Sequence, residues 1–154
     1  MNDMFFMELV LQKAEQSLNS GESPFSAGIV VGGKLVVVES NRTKSGRNPL
    51  RHAETEAISA FFKAHPQELL RDSVLYSSCE PCLMCFGAIY NAGIPRLVYG
   101  ASINDAIRYS SGDVPVDIKL LGRQLQMEMD ITGGVLRERA VQLFSDYINI
   151  HREL

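Results

Sequence analysis

The segment Ser73–Gly100, SVLYSSCEPCLMCFGAIYNAGIPRLVYG, decides how this chain folds. Ser73 to Ser77 is apolar and aromatic enough for a short strand. Cys82 to Ala92 is an apolar stretch of helical length closed by Gly93, and Pro81 stands just ahead of it, where proline suits a helix start. Pro95 to Gly100 reads as a second strand. Strand, helix, strand in that order is a β-α-β unit, which sets its two strands parallel in one sheet.

Working outward towards the N-terminus, Arg51 to Ala64 carries Ala53, Ala57, Ile58, Phe61 and Phe62 at helical spacing and stops at Pro66. Both phenylalanines are expected in the core. Ser40 to Leu50, with Gly46 and Pro49, is polar and reads as a loop. Ser26 to Gly32 and Lys34 to Glu39 are β-branched runs around Gly32-Gly33, a hairpin signal. Asp3 to Ser20 places Met4, Met7, Val10, Leu11, Ala14 and Leu18 on a helical stripe that Gly21 ends. Towards the C-terminus, Ala101 to Pro115 is turn-rich and irregular. Val116 to Leu125 then reads as a helix, Met127 to Ile131 as a strand and Leu136 to Ile150 as a final helix. No repeat, linker or low-complexity segment interrupts residues 1–154, so one domain is expected. The alternation predicts an α/β fold with a sheet sandwiched between helices.

Composition narrows the function classes. The 154 residues are 45% hydrophobic and 21% charged, which argues against disorder. Formal net charge is -3, with no basic surplus of the kind that phosphate-dominated binding uses, so a nucleic-acid substrate is disfavoured. The N-terminus carries Asp3 and Glu8 and no basic n-region, so it does not read as a signal peptide, and no apolar run has membrane-spanning length. The 3 cysteines do not form a secreted disulfide framework. The expected compartment is the cytoplasm.

Two short motifs carry chemistry: His52-Ala53-Glu54 and Pro81-Cys82-Leu83-Met84-Cys85. Zinc accepts imidazole nitrogen and thiolate sulfur, and a catalytic site uses three protein ligands and keeps one position open. Cys82 and Cys85 lie three positions apart at a helix start, an end that favours thiolate. His52 supplies a third ligand from the start of another helix. Glu54, two residues further on, faces past the metal as a proton carrier. A pattern of H-x-E followed by P-C-x-x-C is the signature of zinc deaminases.

The segments GESPFSAGIV, HAETEAI, LYSSCEPCLMCFGAIYNAGIPRLVYGA and TGGVLRE together resemble the cytidine deaminase-like superfamily, above all bacterial guanine deaminases, nucleoside deaminases and tRNA adenosine deaminases. The resemblance implies a three-layer α/β/α sandwich around a five-stranded mixed sheet, one catalytic zinc per chain and commonly a homodimer. It also implies substrate contacts at Asn41 and Phe25, with a weaker transfer to Asp113, whose surroundings (Tyr109-Ser-Ser-Gly-Asp113) depart from the family's.

The plainer readings stand beside these. The Cys-x-x-Cys alone could be a redox pair or a structural metal site, but neither needs a His-x-Glu thirty positions upstream. Cys79 reads as a packed small hydrophobe, His65 and His151 as surface residues, and Glu56 as an ordinary first-turn acid. Arg42, Lys44 and Arg47 read as a solvated loop, able to meet a phosphate if the substrate has one. The leading expectation is a hydrolytic deaminase of a small purine-like base or nucleoside, guanine among them. A tRNA adenosine deaminase is the alternative, and a non-catalytic zinc-binding subunit is disfavoured by the presence of Glu54.

Overall fold

The computed structural model describes residues 2–65, 67–109 and 115–152. Its elements in chain order are α1 (Asp3–Asn19), β1 (Ser26–Val31), β2 (Lys34–Ser40), α2 (Ala53–Ala64), a 3-10 turn (Gln67–Asp72), β3 (Ser73–Cys79), α3 (Leu83–Asn91), β4 (Arg96–Ala101), α4 (Ile103–Ala106), α5 (Ile118–Gln124), β5 (Asp130–Gly133) and α6 (Arg137–Arg152). The five strands form one mixed sheet in the order β2-β1-β3-β4-β5. β1 runs antiparallel to β2 and β3, whereas β3, β4 and β5 are parallel.

Side chains leave a strand alternately on its two faces, and here each face has its own core. Val74, Tyr76 and Val98 point to the side covered by α1 and α6, where they meet Met7, Val10, Leu11, Leu143 and Phe144. Leu75, Leu97 and Tyr99 point to the other side and pack with Ala57, Phe61, Phe86, Ile89 and Ile118 of α2, α3 and α5. β3 is buried along its whole length because it lies mid-sheet with helices on both faces. Burying each such large apolar side chain contributes about 1.5–3 kcal/mol. The β1–β2 turn is made by Gly32 and Gly33 at φ 56° and 75°, the left-handed conformation that a two-residue hairpin of this twist requires.

Several sequence expectations shift. β5 spans Asp130–Gly133 and not Met127 to Ile131. Met127 N–H closes back on the Gly122 carbonyl at 2.9 Å and Gln126 adopts φ 53°, so Met127 and Met129 enter the core from a tight helix-ending turn. Their alternation with Ile131 imitates a strand. The segment after β4 is not wholly irregular: α4 forms one turn, fixed by a capping box between Ser102 and Asp105. Phe62 is 42% exposed, a correction to its core assignment. The buried stripe of α2 runs Ala53, Ala57, Phe61, and the next residue lies about 100° around the helix from it.

Candidate active site

The site lies where β3 ends and α2 and α3 begin. His52 is the N-cap of α2 and Cys82 the N-cap of α3, both with extended backbone and neither using its side chain to cap its helix. Cys85 follows in the first turn of α3 and is fully buried. His52 Nδ1 lies 3.7 Å from Cys82 Sγ and 3.5 Å from Cys85 Sγ. The three donor atoms sit within 4.8 Å of one another. Around a tetrahedral zinc, with nitrogen and sulfur at their usual bond lengths, a nitrogen–sulfur separation of about 3.6 Å is required. The donor set and its spacing therefore fit zinc.

The protonation of the cysteines agrees with that use. A hydrogen bond from Cys85, helped by His52, holds the Cys82 thiol down to about 4. The same bond, together with burial and the nearby Glu54 carboxylate, pushes the Cys85 thiol up. Taking both sulfurs as ligands releases the proton they share.

Glu54, in the first turn of α2, is only 7% exposed and stands outside the donor trio. Its Oε1 accepts a hydrogen bond of 2.9 Å from Ser77 Oγ on β3. Burial pushes its pKa above the ordinary carboxylate value, against the pull of its own backbone N–H. A buried carboxyl raised in this way holds a proton more readily than an ordinary carboxylate, which suits it to carry one. Ser77 was not singled out from the sequence. Strand parity would have found it, since it shares the face of Leu75, towards α2.

Asn41 and Phe25 are neighbours at the open end of the β1–β2 hairpin, where Asn41 N–H donates to the Phe25 carbonyl at 2.9 Å. Arg42 N–H donates to the Arg51 carbonyl, also at 2.9 Å, which lays this end against the entry to α2 beside His52. Phe25 packs on Phe144 with ring centres 5.4 Å apart. Asp113 lies outside the described residues. Cys79 is buried, packed in the core on the α1 and α6 side of the sheet, and is not among the grouped donors. His65 stacks on Phe61.

The acids and cations at the mouth are paired with one another. Arg51 makes two bonds of 2.9 and 2.8 Å to Glu56, so Glu56 is more than a first-turn acid, and this contact holds its carboxyl below the usual range. Arg42 bonds Glu39 at 3.0 Å and lies 3.7 Å from Glu56. Lys44 contacts the Tyr147 hydroxyl and sits over its ring.

Residues 1–101 match the model of the cytidine and deoxycytidylate deaminase zinc-binding region. The chain belongs to this deaminase family. Membership makes it a zinc-dependent deaminase, a hydrolase acting on cyclic amidines. Among family members, a guanine deaminase of Bacillus subtilis is 37% identical over 107 residues, covering 69% of each chain. A tRNA-specific adenosine deaminase of Streptococcus pyogenes is 30% identical over 149 residues, covering 97% of this chain and 91% of its own. The structure of a guanine deaminase from Nitrosomonas europaea superposes with a TM-score of 0.78 at 31% identity, covering 92% of this chain and 81% of that one. Among the described residues no helix is long and apolar enough to cross a membrane.

Proposed function

We propose that the chain removes the exocyclic amino group of a small purine-like base or nucleoside, guanine first among them. The observation that carries this reading is the buried Glu54 carboxylate, fixed by Ser77 beside three donors spaced for zinc. In this reading His52, Cys82 and Cys85 hold one zinc, Glu54 moves protons, and Asn41 and Phe25 touch the substrate. Asp113 is assigned to the substrate on resemblance alone. Bound zinc would supply Lewis acidity that makes water nucleophilic near neutral pH.

Ser77 holds one carboxyl oxygen of Glu54 in place. Glu54 takes a proton from the attacking water and delivers it to the neighbouring ring nitrogen, then takes the second proton from the added hydroxyl and gives it to the departing amine. The water oxygen stays on the ring carbon, the carbon–nitrogen bond breaks, and ammonia leaves. A small substrate is supported by the acid pairing beside the site, where Arg42 and Arg51 are engaged by Glu39 and Glu56. Three free cysteines suit a reducing cytoplasm.

One observation favours a second reading, adenosine in tRNA: the Streptococcus pyogenes relative aligns with 97% of the chain. An ammonia-release screen over guanine, cytosine, adenine, their nucleosides and an anticodon stem-loop separates the two. Release from guanine or another free base or nucleoside is expected. Release from the stem-loop alone would overturn the small-molecule reading.

A further inference from the structure

Glu22, at the turn between α1 and β1, is 8% exposed and belongs to none of the roles above. Its Oε1 accepts a bond of 2.6 Å from the Ser45 backbone N–H, and its Oε2 one of 3.2 Å from Asn41 Nδ2. Asn41 Nδ2 also lies 3.0 Å from Thr43 Oγ1, and the whole residue is only 4% exposed. An ionised carboxylate accepts and never donates, so the half of the amide that faces Glu22 must be its NH2. The Ser45 bonds hold the Glu22 carboxyl below its ordinary value despite burial, which keeps it in the accepting form. The Thr43 hydroxyl can rotate to give or to take, so it does not decide the matter. Among the described residues no hydrogen bond reaches Asn41 Oδ1, and no buried polar side-chain atom is left unpartnered. That oxygen is therefore open to water or to a ligand.

We propose that Glu22 is a positioning residue: it turns the Asn41 amide so that Oδ1 meets a hydrogen-bond donor of the substrate. The inference rests on Asn41 being a substrate contact. For a lactam purine such as guanine, that donor is a ring N–H.

Substitution can reverse the polarity of this pair. In Glu22→Gln the Gln oxygen must serve Ser45 N–H, so its NH2 faces Asn41 and forces the Asn41 amide to turn over, aiming NH2 at the substrate. In the double variant Glu22→Gln/Asn41→Asp the Gln NH2 donates to an aspartate, and an acceptor oxygen again faces the substrate. The test measures kcat and KM for guanine in the zinc-loaded full chain. Glu22→Gln is expected to lose about 10–100-fold in kcat/KM, chiefly through KM, because a buried donor is left unpaired. The double variant is expected to recover to within about threefold of the parent, a rescue that a merely structural role for Glu22 would not produce. A double variant no better than Glu22→Gln overturns the acceptor assignment.

A second readout is independent of substrate identity. In 15N-edited NMR spectra the Asn41 side-chain NH2, assigned by its loss in Asn41→Asp, should exchange slowly in the parent and rapidly in Glu22→Ala. Fast exchange in the parent overturns the proposal. If the parent does not turn over guanine, or if Asn41→Ala leaves its KM unchanged, the functional reading fails, and the exchange measurement still decides the amide's orientation.

Discussion

Glu54 and Glu56 occupy the same turn of α2 and are driven in opposite directions. Burial raises Glu54, whereas the Arg51 guanidinium lowers Glu56. Glu54→Gln keeps shape and burial but cannot carry a proton. It is expected to retain zinc and lose roughly 10²–10⁴-fold in ammonia release, read by metal analysis alongside turnover. Turnover at the parental rate would remove Glu54 from the chemistry. The metal donors and Glu54 were legible in the sequence because zinc admits few side-chain types and a helix turn fixes their spacing. Glu22 and Ser77 were not, because each acts on a partner brought near by the sheet, 19 and 23 positions away. The pairing of Glu56 with Arg51 was missed for a different reason, as neighbours five apart can meet only where the chain bends, here at the entry to α2.

Among elements, the β-α-β unit and the hairpin were legible, and β5 was displaced. Apolar alternation marks which residues are buried, but it cannot distinguish a strand from a turn that buries every second side chain. Met127 and Met129 are that case. Periodicity likewise marked Phe62 as apolar on a helix without settling which side of the stripe it falls on. The hairpin supplies a quantitative check. Gly33 stands at φ 75°, so Gly33→Ala should cost about 1–2 kcal/mol in urea unfolding, through backbone conformation alone, since no atom stands where a Cβ would be placed. A midpoint unchanged from the parent would show that the turn does not hold this conformation in solution.

On the scale of the whole molecule, one polar cluster joins the first helix to the far strands. Arg96 on β4 grips Asp3 with bonds of 3.0 and 2.7 Å and Asp130 on β5 with one of 2.9 Å, while the Tyr76 hydroxyl donates to Asp3 at 2.7 Å. The bond from Arg96 places the folded-state pKa of Asp3 below its ordinary 3.8. The folded chain therefore binds fewer protons here than the unfolded chain. This contribution to stability is fully present above about pH 4 and is lost as pH falls through the lowered value. Asp3→Asn should reduce the fall in stability below about pH 4, measured by urea unfolding across that range, and an unaltered acid limb would refute the assignment. Assembly can be tested at the same scale. α3 carries no charged residue and exposes Leu83 and Tyr90, a surface where the homodimer expected from the family resemblance could pair. Light scattering of the zinc-loaded protein should give twice the chain mass, and a monomer at micromolar concentration would exclude a stable dimer.

The position of the donors at two separate helix starts makes the ion a clasp as well as a reagent. By holding His52 to Cys82 and Cys85, zinc closes a loop that contains α2, the 3-10 turn and β3, and so restricts the unfolded chain much as a cross-link does. The two helices it ties lie on one face of the sheet, whereas α1 and α6 pack on the other. Chelation should therefore loosen the molecule unevenly. Amide hydrogen exchange is expected to quicken in α2 and α3 while α1 and α6 keep their protection, and a uniform loss across both faces would mean that the sheet transmits the release in full.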